Sequence, residues 1–133
     1  MRVVRLWGPP VLLAATIYVL SSLSQVPGGE YVYDKLGHLA VFGVLGYLTL
    51  RATHGGSGPL SPLPAATAVL LVVAWGALDE FHQSFVPGRY PSVADVVADA
   101  LGAGLAVLVW AWRGRGDRVA RISGAGAASG GQG

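Results

Sequence analysis

Four apolar stretches divide the chain, at 6–23, 36–50, 65–78 and 93–112. A helix needs about 20 residues to cross a bilayer, with about 17 to 25 the usual range. The first and last stretches have that length as they stand. The second and third reach it only if Asp34–His38 and Asp79–Gln83 belong to their helices. Polar and charged residues are therefore built into helix ends. Pro27-Gly28-Gly29, the run Gly55–Pro59 with Pro62 and Pro64, and Pro87-Gly88 with Pro91 break the chain between the stretches. Pro9-Pro10 falls in the first turns of its helix, where missing N–H groups cost least. Asp34 reads as the N-cap of the second helix. Ser92 reads as the cap of the fourth, with Asp95 completing a capping box. The pattern predicts an all-α, polytopic integral membrane protein: a four-helix transmembrane bundle over residues 1–113. Gly114–Gly133 lacks apolar periodicity and is rich in Gly, Ala, Ser and Arg, which predicts a disordered cytoplasmic tail.

Composition agrees with lipid as the main solvent. Charged residues make up 12% of the 133, against about a quarter in soluble domains, and the mean hydropathy is +0.54. The absence of cysteine excludes disulfides and thiolate metal sites. The pI near 9.3 does not point to nucleic acid, because the basic residues flank membrane segments and read as a topology signal. Arg2, Arg5, Arg51, Arg113, Arg115, Arg118 and Arg121 fall on one side, Lys35 and Arg89 on the other. The positive-inside rule then puts both termini in the cytoplasm. Glu30, Asp34, Asp79, Glu80, Asp95 and Asp99 lie outside. A rival reading takes Arg2, Arg5 and the apolar run up to Ser22-Leu23-Ser24 as a signal peptide, which leaves three helices and the same later segments.

With this topology one extracytoplasmic face gathers the end of the first helix, the start of the second, the end of the third and the start of the fourth. Asp79 and Glu80 are its most informative members. An ionisable residue in a membrane helix is by default a functional-site hypothesis, and the helix C-terminus disfavours anions. Lys35 and Arg89 are the permanent cations of that face. Asp34 and His38 are spaced i,i+4, as are Asp79 and Gln83; Asp95, Asp99 and Gly102 form one stripe. Asp99 lies about 6 Å deeper than Asp95, too deep for capping. Pro87-Gly88 suits a type II turn that folds Arg89 over the carboxylates or aims it at an anionic ligand. Candidate ligand-binding residues are thus Asp34, Lys35, His38, Asp79, Glu80, Gln83, Arg89, Asp95 and Asp99, with Asp79 and Glu80 the candidate catalytic acids or bases. The plainer alternatives are capping by Asp34 and Asp95, a structural ion-pair cluster, and a His82 that faces headgroups. Carboxylates and His38 suit a divalent cation, although the sequence does not require one. Gly43, Gly46, Gly76, Gly102 and Gly104 predict close helix approach.

Asp34-Lys35-x-x-His38, Asp79-Glu80-x-x-Gln83-x-Phe85-x-Pro87-Gly88-Arg89 and Asp95-x-x-x-Asp99-x-x-Gly102 together resemble the signature of VanZ-like membrane proteins. The Ser21-Ser22 end of the first helix fits as well. The resemblance covers about Tyr18 to Gly104. The family often has Asn where Asp99 stands. The resemblance implies a helical protein of the bacterial cytoplasmic (inner) membrane, and the founding member is associated with lowered susceptibility to teicoplanin.

Three functions compete. The first is a non-enzymatic envelope protein that binds an anionic headgroup or lipid-linked cell-wall intermediate. The second is a membrane-embedded enzyme acting on a lipid-linked or phosphorylated substrate through Asp79 or Glu80. HExxH and GxSxG are both missing, which weighs against it. The third is an ion- or proton-coupled transporter. Four short helices are few for that task unless the protein oligomerises, and clustering at one face rather than the midplane disfavours it.

Overall fold

The computed structural model describes residues 1–23 and 31–129, with side chains described for 1–23 and 35–116. The described chain is helical: α1 (Arg2–Ser21), α2 (Tyr31–Thr53), α3 (Pro62–Gln83) and α4 (Val93–Ser129). All four are long and apolar enough to cross a membrane, α4 through Gly116. Asp79–Gln83 ends α3, and Lys35–His38 lies within α2, as the length argument requires.

Local chemistry sets most boundaries. Pro62 opens α3 behind an extended Ser61, where a missing N–H costs nothing. α2 ends in a Schellman motif. The Gly56 N–H donates to the Arg51 carbonyl at 2.8 Å and the Gly55 N–H to Ala52 at 3.1 Å. Gly55 supplies the left-handed φ of +74° that this ending needs.

Three boundaries differ from the pattern-based reading. α1 begins at Arg2, so Pro9 and Pro10 lie inside it rather than in its first turns. The helix continues although two N–H donors toward Arg5 and Leu6 are missing. α2 begins at Tyr31, so Asp34 is its fourth residue and not its cap. α4 continues through Ser129, past Gly114 where the tail was expected to be disordered. Extending a formed helix adds a hydrogen bond per residue fixed, and Ala and Arg are good helix formers. Gly130–Gly133 lie outside the described residues.

The helices alternate in direction. α2 and α4 form the closest pair, meeting through small residues. A Cβ on Gly102 would stand 2.5 Å from the Leu39 carbonyl oxygen and 2.8 Å from the Gly43 nitrogen. A Cβ on Gly46 would stand 2.9 Å from the Ala103 Cα. Ile17, Phe42, Leu45, Val72 and Ala103 bring all four helices into one apolar cluster. Leu50, Ala65, Ala68 and Trp110 form a second, further from the polar end. Leu12, Leu63, Leu70, Leu101 and Leu108 point outward and exposed, the arrangement expected where lipid is the solvent.

Candidate functional site

Asp79, Glu80, Gln83, Asp95 and Asp99 are all buried, and all lie at one end of the bundle. Each carboxylate takes a partner from outside its own helix. Asp79 Oδ1 accepts the Ser21 hydroxyl of α1 at 2.5 Å, and its Oδ2 accepts the Gln83 amide one turn on at 2.8 Å. Glu80 Oε2 accepts the backbone N–H of Ser92, just ahead of α4, at 2.6 Å. Asp95 Oδ1 pairs with Lys35 Nζ of α2 at 2.5 Å. Asp99, at 0% exposure, pairs through Oδ1 with His38 Nδ1 at 3.0 Å.

The i,i+4 spacing of Asp95 and Asp99 explains the two-tiered contact with α2. Lys35 and His38 are one turn apart on α2 and meet the two acids one above the other. Gly76 makes room for the deeper pair: a Cβ there would overlap the Asp99 carboxylate.

The capping box does not form as expected. The Ser92 N–H goes to Glu80, while Asp95 is drawn to Lys35. The type II turn does form. Gly88 has φ +82°, and the Arg89 N–H donates to the Val86 carbonyl at 3.1 Å. The guanidinium does not close over the carboxylates. Among the described residues Arg89 pairs with no acid, and its buried Nε has no hydrogen-bond partner. Two carboxylate oxygens, Glu80 Oε1 and Asp99 Oδ2, are likewise buried without one.

Residues 7–114 match the family model described as VanZ/LLP1. The chain belongs to the VanZ/LLP1 family. With its four apolar spans, it is a multi-pass membrane protein. No curated protein and no solved structure matches it.

In this VanZ/LLP1 protein, Lys35, His38, Asp79, Glu80, Gln83, Asp95 and Asp99 meet at one bundle end, joined by Ser21 and Ser92. Arg89 sits on the neighbouring turn, and no acid among the described residues pairs with its guanidinium. The Asp34 side chain lies outside the described residues. His82 does not simply face outward: its Nε2 lies 2.9 Å from the Ser22 hydroxyl, and its ring lies 4.3 Å from Tyr18. Ser21 is the partner that spacing alone does not select, although its place at the last turn of α1 was its signal. Beside Asp79 opens a crevice of about 270 Å³ lined by Tyr18, Trp75, Leu78, Phe81, His82 and Phe85. All of its lining except Tyr18 of α1 comes from one short stretch, Trp75 to Phe85, at the end of α3.

Proposed function

We propose that this VanZ/LLP1 protein is a non-enzymatic component of the bacterial cell envelope that binds an anionic headgroup at the polar end of its bundle. The headgroup belongs to a membrane lipid or a lipid-linked cell-wall intermediate, the two sharing a phosphate. Occupancy alters the access of teicoplanin-type glycopeptides to their target. The observation that carries this reading is Arg89, whose buried Nε has no partner among the described residues. A guanidinium N–H left unsatisfied is costly, and its planar fork suits phosphate or carboxylate. The aromatic crevice beside Asp79 offers a place for the apolar part of the same molecule.

The Lys and Arg distribution supports an insertion in the cytoplasmic membrane with both termini inside and this end outward. Ser21 bonding to Asp79 supports retention of α1 rather than its cleavage. The buried charged side chains among the described residues gather at one end, which favours binding over a conducting path. Native mass spectrometry with phosphatidylglycerol and a polyprenyl pyrophosphate tests the reading. Arg89→Ala is expected to weaken binding by at least about tenfold, through loss of a charge-assisted hydrogen bond. Unchanged binding ends it. Matched strains carrying empty vector, wild type and Glu80→Gln test the glycopeptide step. A teicoplanin-selective rise in resistance that Glu80→Gln abolishes is expected, with vancomycin in parallel. No change at equal membrane abundance rejects it.

A further inference from the structure

Three helices bring one donor atom each from His38, Glu80 and Asp95 within 4.8 Å of one another. His38 comes from α2, Glu80 from the last turn of α3 and Asp95 from the first turn of α4. Proximity alone would describe an acidic cluster. Glu80 adds a second observation. It is 6% exposed, Ser92 takes its Oε2, and its Oε1 is buried with no hydrogen-bond partner. A buried carboxylate oxygen in that state calls for a cation or a donor. Asp99 adds a third. It holds His38 through Nδ1 from below, and a carboxylate on one imidazole nitrogen is how histidine ligands are oriented at metals.

We propose that His38, Glu80 and Asp95 bind one divalent cation, with Asp99 as the positioning residue behind His38. One imidazole with two carboxylates suits Mn²⁺ or Zn²⁺. Metal–ligand bonds of about 2.0–2.2 Å place ligand atoms roughly 3.5 Å apart around a tetrahedral centre. From the outer limit of their spread, 4.8 Å, the three groups therefore close in by at most about 1.3 Å. Lys35 competes for the same place, since its ammonium sits on Asp95 Oδ1. Its side chain is 24% exposed, which lets it swing outward as the cation enters. The bound cation then joins the acidic cluster to the phosphate of the headgroup. That last role rests on the headgroup reading; cation binding stands without it.

The test uses the full chain in detergent, stripped with a chelator and titrated with MnCl₂ and ZnCl₂. One ion per chain is expected for wild type. His38→Gln and Glu80→Gln each weaken binding by more than about tenfold, and Asp99→Asn by roughly 10- to 100-fold. Lys35→Gln tightens binding, an effect that a merely structural ion pair does not produce. No stoichiometric uptake by wild type overturns the proposal, as does wild-type affinity in folded Glu80→Gln. Should the ligand variants fail to fold, spin-echo spectroscopy of Mn²⁺ on wild type decides. Modulation from imidazole ¹⁴N supports the site, and bound Mn²⁺ without it overturns the site. Phosphatidylglycerol binding by chelator-treated protein separates the two claims. Lipid bound without metal uptake removes the cation alone, whereas metal bound without lipid removes the headgroup reading alone.

Discussion

Asp79 is held by two donors from distant parts of the chain, Ser21 of α1 and Gln83 one turn on. Ser21 is buried and its neighbour Ser22 is exposed, although Ser22 also reaches across to α3, at His82. The two serines should therefore differ sharply in worth. Ser21→Ala leaves a buried acceptor short of a donor, which costs about 1–3 kcal/mol. Ser22→Ala falls within about 0.5 kcal/mol of wild type, as exposed substitutions do. Unfolding in detergent, followed by the fluorescence of the native tryptophans, measures both; equal losses would reject the assignment. Some of this scale was legible in advance. Acids at the end of an apolar stretch must find partners, so Asp79 and Glu80 were prominent. Pro87-Gly88 specified its turn. Which partner each acid takes was not legible, because that depends on how helices far apart in sequence rotate against one another. Arg89 shows the same limit: its backbone followed the local rule, and its guanidinium pairs with no acid among the described residues.

At the level of the helices, glycine does two different jobs in α4. Gly102 meets backbone atoms of α2 on a face where even one methyl has no room, whereas a Cβ on Gly104 would meet nothing within 4 Å. Gly102→Ala must push α2 and α4 apart, because the Leu39 carbonyl and the Gly43 amide cannot swing away as a side chain can. A loss of about 1–3 kcal/mol is expected, the usual result of overpacking. Gly104→Ala is expected to stabilise, by up to about 1 kcal/mol, through helix propensity. Thermal melting in the same detergent checks the pair, and a Gly102→Ala protein as stable as wild type would show that the contact yields. The sequence contained all five of these helix glycines as candidates for close approach. Gly43, Gly46, Gly76 and Gly102 have that role, and Gly104 does not. Composition marks small residues, but only the packed helices decide which of them face a neighbour. Helix ends behaved similarly. The Gly55 stop lay where the breaks predicted, whereas the starts of α1 and α2 fell earlier and α4 ran further. Helical hydrogen bonding can continue past the last apolar residue, as in α4, which runs through Gly114 and Gly116.

For the whole molecule, most of the arginines lie at the end opposite the buried acids, and that asymmetry predicts its orientation. Arg2 donates to the Gly55 carbonyl at 2.8 Å, and Arg113 reaches the Tyr47 hydroxyl at 3.3 Å. Both contacts tie basic side chains to the end away from Asp79. Lys35 and Arg89 belong to the opposite end, where Lys35 is drawn into an ion pair with Asp95. Positive charge resists translocation far more than negative charge does, so the arginine-rich end should stay in the cytoplasm. The chain contains no cysteine, which makes it a clean background for single-cysteine labelling. Tyr90 is 88% exposed on the loop between α3 and α4. Ser57 is exposed on the loop between α2 and α3, at the other end. A membrane-impermeant maleimide applied to intact cells should label Tyr90→Cys and leave Ser57→Cys unmodified until the membrane is opened. The reverse pattern would put the acidic cluster in the cytoplasm. It would then face nucleotides and soluble phosphates, and a direct effect on glycopeptides outside the cell would lose its physical basis. Labelling of both sites in intact cells would mean that the chain inserts in two directions, as a charge bias weaker than the counted one would allow. The outward pattern alone brings Arg89 and the aromatic crevice to the leaflet where lipid-linked wall intermediates meet the antibiotic.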